Sequence, residues 1–314
     1  MIPYKVNVSA INQFSRCRFR WWAQYIENWV PIQEAQPLAF GRLLHEVFEA
    51  SHQADISMKG AIELCFQLWQ KKAETTTDSF ERTMRFDALQ QLDELSEALC
   101  LWVDKYPITT TLAVEEPFEI EHPDDPSIHI IGRPDREVVM NNKIWHIQNR
   151  GLAPGINFGT YIELQKRSYH EHVYAEALNR KYINPNEKFG LKYGGTLFNL
   201  VRKLKYRTKV TKKNPEGEIK DLSEMFFQHP MTIDLTSPLH KHIMACVLGY
   251  AREMRDAEVA YRDEGIIPLP NESVNGGAYG NSPDPYFKVL IGEYELGDSR
   301  YFKKRDDPYT GVHV

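Results

Sequence analysis

The chain has 314 residues, of which 42% are hydrophobic and 26% are charged, a composition typical of a globular protein with a packed core. Its net charge of −5 excludes a nucleic-acid-binding protein that is basic over its whole surface, so any polyanion must contact a local basic surface. The apolar runs end well short of the roughly 20 residues that cross a bilayer, and no secretory signal opens the sequence. We therefore expect a cytoplasmic protein without a membrane partner.

Helical periodicity dominates the first third of the chain. A first helix is predicted from Ala10, with Ser9 as its N-cap, and its apolar positions continue at helical spacing to Ile26. A second helix is predicted over residues 38–52, with one apolar face. Helical spacing continues through residues 53–107, which we interpret as a helical insertion within a larger domain.

After residue 107 the hydrophobic pattern changes to alternation, which predicts short strands. These strands cover residues 111–120, 128–131, 136–140 and 143–147, with Asn141-Asn142 as a tight hairpin turn. A helix over residues 161–182, a strand over 194–201 and a long helix over 238–264 follow, before an irregular tail over 265–314. This order favours one α/β domain spanning residues 1–314, with a mixed central sheet flanked by helices.

Five local patterns follow one another in a fixed order. They are Cys17-Arg18 in an aromatic helix, Phe40-Gly41-Arg42-Leu43-Leu44-His45-Glu46, Gly132-Arg133-Pro134-Asp135, Ile147-Gln148-Asn149-Arg150, and the helix from Tyr161 to Leu178. Each pattern is weak alone, but together they resemble the RecB-like exonuclease branch of the PD-(D/E)XK nuclease superfamily, of the phage and CRISPR-associated type. The resemblance implies a restriction-endonuclease-like core, DNA as the partner, and Mg²⁺ or Mn²⁺ as the cofactor.

The resemblance also implies where the metal binds. In such enzymes two carboxylates on adjacent strands hold a hard cation, which polarises the phosphodiester and acidifies the attacking water. Asp135 matches the first of these acids, and His45 matches a histidine that the family contributes from a helix as a further metal ligand. A histidine in an apolar helix is more often a core or capping residue, and this alternative stays open for His45.

Two catalytic positions depart from the family pattern, which has Asp or Glu at the position of Gln148 and Lys at that of Arg150. Glutamine keeps an oxygen but no charge, so we expect weak metal binding. Arginine, with a pKa above about 12, cannot accept a proton as lysine can. Since one lost electrostatic contact costs about 2.7 to 4 kcal/mol of barrier, we expect impaired or lost cleavage. An engineered Gln148 in an active parent also remains open.

The resemblance aligns His170 and Tyr174 with a glutamine and a tyrosine that help to position DNA and the catalytic lysine in the family. Gln165 and Tyr169 have the same spacing one turn earlier, but the Ala-Leu pair after Tyr174 favours the later alignment. The alternative for Tyr174 is packing of its ring on the sheet.

Two groups of basic residues are candidates for DNA binding. The larger run contains no acid and includes Arg202, Lys203, Lys205 and Arg207. A solvated loop is the alternative for this run. Arg16 and Arg18 lie among aromatic residues of the first helix, where they either line a groove or hold helices together.

Cysteine usage excludes several kinds of site. A subset of the family holds an iron-sulfur cluster with one cysteine near the N-terminal helix and three near the C-terminus. Cys17 matches the first, but the tail contains no cysteine, so we expect no cluster. The four cysteines include no CxxC pair, which also argues against a disulfide framework and a zinc knuckle. Cys17 is then a small buried hydrophobic residue.

Three functions remain open at this stage. The favoured one is a nuclease-fold protein that binds DNA with impaired or lost cleavage, in the cytoplasm of a prokaryotic or phage-infected cell. The second is an active Mg²⁺-dependent DNA exonuclease. The third is a non-catalytic structural component of a larger assembly, with protein partners or self-association. The first two require His45, Asp135, Gln148 and Arg150 to meet in one pocket.

Overall fold

The computed structural model describes residues 3–32, 36–53, 56–105, 110–152, 156–182, 191–202, 225–269, 285–290 and 292–305. The N-terminal part contains β1 (Tyr4–Asn7), α1 (Val8–Arg16), α2 (Arg18–Trp21), a π-helical turn (Trp22–Ile26), β2 (Trp29–Pro31), α3 (Gln36–Gln53), α4 (Met58–Thr75) and α5 (Ser79–Lys105). The central part contains β3 (Thr110–Val114), β4 (Phe118–His122), β5 (Asp125–Gly132), β6 (Arg136–Met140), β7 (Lys143–Leu152), α6 (Phe158–Gln165), α7 (Tyr169–Tyr182) and β8 (Lys192–Arg202). The last described elements are β9 (Phe226–Met231), α8 (Pro238–Glu264), α9 (Pro285–Leu290) and β10 (Phe302–Lys304).

The largest sheet is mixed and has the strand order β3-β6-β7-β8-β9. Its central pair, β7 and β8, is parallel, while the other neighbours are antiparallel. A smaller sheet has the order β1-β5-β4, with β1 parallel to β5, and β2 pairs with β10. Parallel strands need a crossover connection, and α6 and α7 form it between β7 and β8. The predicted mixed α/β class is therefore confirmed.

The hairpin between β6 and β7 has the predicted two-residue turn. Asn141 and Asn142 have φ angles of 53° and 59°, the left-handed values that a type I′ turn requires. Asparagine tolerates this conformation better than most residues do. The register set by this turn continues along the antiparallel ladder and places Asp135, just before β6, opposite Gln148 of β7.

The helices α3, α4 and α5 pack together beside the large sheet. The predicted apolar face of α3 is fully buried within one hydrophobic cluster, which also includes Trp69 of α4 and Leu92 of α5. Val201 and Phe226, on neighbouring strands of the sheet, belong to the same cluster. The predicted helical character of residues 58–105 is confirmed, while the limits of the insertion and the single domain stay predictions.

The first helix differs from its prediction at both ends. Its N-cap is Asn7, whose side chain accepts a 2.7 Å hydrogen bond from the backbone N–H of Ala10, so Ser9 as the cap was wrong. The helix does not continue to Ile26, because Cys17 is extended, with φ −158° and ψ 107°. The Cys17 sulfur is buried as predicted, and it accepts from the N–H of Arg20 to start α2.

Later elements were divided more finely than predicted. The strand predicted over residues 111–120 breaks at Glu115, whose φ is 52°, into β3 and β4. The helix predicted over 161–182 is interrupted after Gln165 and restarts at Tyr169. β9 was not predicted. The tail is not wholly irregular, since it contains α9 and β10, and Phe302 of β10 is buried.

The long helix α8 agrees with its prediction. Ser237 caps its start by accepting from the N–H of His240, and Gly265, with φ 72°, ends it in the left-handed conformation. Among the described helices, none is both long and apolar enough to cross a membrane. All four cysteines lie in the described part of the chain, and none of them forms a disulfide.

Gly132 is required by close packing just before the Asp135 loop. A Cβ atom at this position would lie 2.3 Å from Cζ of Phe118 and 2.8 Å from Cε1 of Tyr174. We expect Gly132→Ala to lower the free energy of unfolding by about 1 to 3 kcal/mol, because the two rings must move. Urea unfolding measures this. Gly249→Ala in α8 is the control, since no described neighbour lies within 4 Å of its added Cβ. Equal stability of Gly132→Ala and wild type would contradict the packing argument.

His52 makes the stability depend on pH. Burial and the positive charge of Arg136 lower the pKa of the His52 ring to about 3. Between pH 6.5 and about pH 3, His52 is therefore protonated in the unfolded chain but neutral in the folded chain. Stability should therefore fall as the pH falls from about 6.5 toward 3, by at most about 1.4 kcal/mol per pH unit from this group. We expect His52→Gln to flatten the decline in the free energy of unfolding, while the exposed control His242→Gln keeps the wild-type slope. Identical slopes for all three proteins would refute this.

Candidate metal centre

Three side chains that are capable of holding a metal meet at the open end of the β6–β7 hairpin. Nε2 of His45 lies 3.0 Å from Oε1 of Glu115, and Nδ1 of His45 lies 3.6 Å from Oδ2 of Asp135. One ligand atom from each residue lies within 4.8 Å of the others. The carboxylates are nearly buried, at 7% and 10% exposure, whereas His45 is 32% exposed.

Backbone contacts fix both acids in place. The N–H of Asn149 on β7 donates a 2.8 Å hydrogen bond to Oδ2 of Asp135. The N–H of Glu115 donates to the carbonyl of Asp135 at 3.3 Å, which ties the end of β3 to the start of β6. The left-handed backbone of Glu115 ends β3 at this point, and Nε of Arg133 lies 2.8 Å from Oε2 of Glu115.

The cluster is held together by charge. Hydrogen bonds to Asp135 and Glu115 raise the pKa of His45 to about 10, although burial acts in the opposite direction. Burial raises the pKa of Asp135, but the His45 hydrogen bond and the charge of Arg150 outweigh it and hold that pKa below its usual range. In this state a histidine cation neutralises part of the charge of two carboxylates, and a divalent cation would have to displace its proton.

Gln148 and Arg150 lie beside this cluster and bind each other. Both project from the same face of β7, since side chains alternate along a strand. The Arg150 guanidinium donates to Oε1 of Gln148, which fixes the orientation of the amide. Nε2 of Gln148 therefore carries the donors, and it has no hydrogen-bond partner among the described residues. The atom of Gln148 that could ligate a metal is already engaged by a cation.

Arg150 is the electrostatic centre on the α6–α7 side of the site. Burial raises the pKa of the Tyr161 hydroxyl, and the nearby charge of Arg150 acts in the opposite direction. Burial lowers the pKa of Arg150, but Asp135, Glu171 and the nearby tyrosines together outweigh burial, and the net pKa lies above its usual value. Arg150 therefore stays protonated and can only donate hydrogen bonds.

Tyr174 and His170 of α7 lie close to the cluster without joining it. The Tyr174 hydroxyl donates to the carbonyl of Arg133 at 3.2 Å, which holds the backbone that leads to Asp135. His170 contacts α1, with Nδ1 2.6 Å from Nδ2 of Asn12 and Nε2 3.2 Å from the Ser9 hydroxyl. Burial and the charge of Arg150 lower the pKa of His170 to about 4, so its ring is neutral. A role for either residue in catalysis stays a prediction.

The predicted DNA-binding residues that the structure describes, Arg16, Arg18 and Arg202, have different contacts. Arg18 forms an ion pair with Glu253 of α8, a contact that fits the alternative in which it holds helices together. Arg16 is exposed, and its charge acts on His170. Arg202 lies at the end of β8, with its guanidinium carbon 4.3 Å from the centre of the Phe158 ring. Lys203, Lys205 and Arg207 lie outside the described residues.

Glu115 is the member of the site that sequence reasoning missed. It was placed inside a predicted strand over residues 111–120, where an acid would alternate out toward solvent. The signal available was the pair Glu115-Glu116 interrupting an apolar alternation and followed by Pro117, which marks a strand end. The strand breaks there, and Glu115 turns inward to His45.

The donor set fits a hard divalent cation. Mg²⁺ and Mn²⁺ favour carboxylate oxygens, and two are present, while the imidazole nitrogen of His45 is better suited to Mn²⁺ than to Mg²⁺. Neighbouring ligands at about 2.1 Å from an octahedral ion lie about 3 Å apart. The 3.0 Å separation between His45 and Glu115 matches that spacing.

Comparison with protein families finds one match, which covers part of the chain. The model of the PD-(D/E)XK nuclease superfamily matches residues 5–148. The matched region includes His45, Glu115 and Asp135 and ends at Gln148. No curated protein matches the chain at a significant level.

A metal titration tests the cluster. We expect Mn²⁺ to bind the wild-type chain and Glu115→Gln to weaken binding at least about tenfold, because a direct ligand is worth no less than its outer hydrogen-bond partners. Glu116→Gln is the matched control, since this neighbour is 54% exposed and pairs with Lys181. Calorimetry or electron paramagnetic resonance measures the affinity. Equal affinities for the two variants would remove Glu115 from the site.

Proposed function

We propose that the chain is a RecB-like member of the PD-(D/E)XK nuclease superfamily that binds DNA at the His45–Glu115–Asp135 cluster and cleaves it slowly or not at all. The observation that carries this proposal is the contact between Arg150 and Oε1 of Gln148, immediately beside an intact cluster of metal-ligating side chains. The match to the superfamily over residues 5–148 supports the fold on which the proposal depends.

Metal binding is supported by the charges of the cluster. With Glu115, the site has two carboxylates even though Gln148 is neutral, so the affinity for a divalent cation is not lost with the strand acid. When bound, such a cation would polarise a phosphodiester and acidify a water molecule. His45, Glu115 and Asp135 would hold it, and Asn149 would keep Asp135 in position.

Weak cleavage is supported by the groups that surround the scissile position. Gln148 contributes no charge, and its oxygen is turned to Arg150. Arg150 cannot accept a proton from water, because its pKa lies above the already high arginine value. Arg150 can instead donate hydrogen bonds to a phosphate oxygen, which favours binding of the strand without supplying a base.

An active metal-dependent DNA exonuclease is the second candidate. Glu115 favours this second candidate. Although Gln148 stands where the family pattern has an acid, Glu115 and Asp135 together still give the candidate metal site two carboxylates. Arg150 would stabilise negative charge that develops on the phosphate. The two candidates share all binding residues and differ in the rate of the chemical step.

Reversion of the two departures separates these candidates. We expect the double variant Gln148→Glu/Arg150→Lys to gain Mn²⁺-dependent cleavage at least about 100-fold above wild type, since each restored contact lowers the barrier by about 2.7 to 4 kcal/mol. The measurement is release of nucleotides from linear duplex and single-stranded DNA with Mg²⁺ or Mn²⁺. Adding Asp135→Ala to the double variant should abolish the gain.

The control carries the same chemical changes away from the site, as Gln90→Glu/Arg262→Lys on exposed helix surfaces, and should behave as wild type. Robust cleavage by the wild-type chain that Asp135→Ala abolishes would establish the second candidate and reject slow cleavage. If neither wild type nor the reverted double variant cleaves or binds DNA, the proposed function is wrong.

A further inference from the structure

Arg133 is a cation that the candidate metal centre exposes to solvent. Its side chain is 40% exposed, whereas the side chains of Glu115 and Asp135 are 7% and 10% exposed. Nε of Arg133 lies 2.8 Å from Oε2 of Glu115, and within the described residues no other side chain pairs with this guanidinium. A guanidinium has more N–H donors than one carboxylate oxygen can accept, so part of the Arg133 fork remains open to a ligand.

The backbone around Arg133 holds the base of this side chain in place. Pro134 follows Arg133, and a residue before proline is restricted to extended conformations. The carbonyl of Arg133 accepts a hydrogen bond from the Tyr174 hydroxyl at 3.2 Å. Gly132, on the other side, packs closely against the rings of Phe118 and Tyr174. The base of the Arg133 side chain is therefore positioned before a ligand binds, which lowers the entropic cost of binding.

Each carboxylate of the cluster has an arginine near it. Arg133 pairs with Glu115, and Arg150 is close enough to Asp135 for the two charges to attract each other. Both arginines keep their positive charge throughout the physiological pH range. A phosphate that approaches the open side of the cluster therefore meets cations as well as acids, even before a metal ion binds.

The open part of the Arg133 fork suits a phosphate group. The planar guanidinium can donate two parallel hydrogen bonds to two oxygens of one phosphate, and such charge-assisted bonds are stronger than neutral ones. The alternative is that Arg133 only orients Glu115 toward a metal ion. These two roles predict different responses of DNA binding and metal binding when the arginine is replaced.

We propose that Arg133 is a phosphate-binding residue of the metal centre, and that it holds a backbone phosphate of the bound strand without a metal ion. The choice of a nucleic-acid strand as the source of the phosphate rests on the proposed function. Binding and cleavage are then separate properties of this chain. The arginines hold the strand, whereas a metal ion is needed only for the chemical step.

Fluorescence anisotropy of a labelled single-stranded oligodeoxynucleotide tests this role. The full chain is titrated at several salt concentrations in the presence of a metal chelator, so that no cleavage occurs. We expect wild type to bind, and Arg133→Gln to weaken binding about 10- to 100-fold at low salt, because a hydrogen bond between charged groups is lost. The slope of log affinity against log salt should become shallower by about 0.7, the value for one phosphate contact on a single strand.

Two further variants separate the charge from the fold. Arg133→Lys keeps a positive charge and should keep the wild-type salt slope, although it loses the fork and binds less tightly. Arg252→Gln is the matched control and should bind as wild type, because Arg252 is 41% exposed and pairs with Asp124 as Arg133 does with Glu115. Equal affinities of Arg133→Gln and Arg252→Gln, or DNA binding only when a metal ion is present, would overturn the proposal.

Mn²⁺ binding gives a readout that a purely orienting role would not produce. If Arg133 only orients Glu115, Arg133→Gln should weaken both Mn²⁺ binding and any DNA binding that depends on the metal. We expect this variant instead to bind Mn²⁺ about 2- to 5-fold more tightly, because a cation that competes for Oε2 of Glu115 is removed. A lower Mn²⁺ affinity together with unchanged metal-free DNA binding would reject the phosphate-binding role.

The choice of probe separates this proposal from the proposed function. Oligonucleotide binding that is the same in wild type and Arg133→Gln would reject the role of Arg133 and leave the DNA-binding function in place. If the oligonucleotide does not bind, inorganic polyphosphate is the second probe. Polyphosphate binding that Arg133→Gln abolishes would support the phosphate-binding role and reject DNA as the ligand. A chain that binds neither probe would overturn both.

Discussion

The register of the β6–β7 hairpin is the constraint on which the candidate site depends. The Asn141-Asn142 turn fixes which residues face each other, and a shift by one residue would send every side chain of β7 to the opposite face. With the observed register, the backbone of Asn149 holds the Asp135 carboxylate. His45 and Glu115 then complete a cluster whose members are far apart in sequence.

Much of the fold and part of the site could be predicted from the sequence, because periodicity and turn chemistry are local signals. The hairpin turn, the long helix α8 and the juxtaposition of His45 with Asp135 depend on such signals or on motif order. Glu115 could not be placed, because its position depends on a left-handed backbone that alternation does not reveal. β9 was missed for a related reason: its strand character depends on pairing with β8 rather than on its own pattern.

Gln148 and Arg150 form a hydrogen-bonded pair beside the cluster. The Gln148 amide accepts a hydrogen bond from Arg150 and adds no negative charge, so Glu115 and Asp135 are the carboxylates of the cluster. The charge of Arg150 also lowers the pKa of Asp135, just before β6, and the pKa of His170 on α7. Removing Arg150 alone would therefore disturb several groups at once, because they share one buried cation.

The hairpin turn lies far from the candidate site, so the stability of the hairpin can be changed without changing the chemistry of the site. Asn142 lies six residues before Gln148, roughly 20 Å away at the rise of an extended strand, and Asn141 lies one residue further. Glycine is better suited than asparagine to the second position of this turn. An engineer could therefore strengthen the scaffold at its tip, leaving the chemistry at its base untouched.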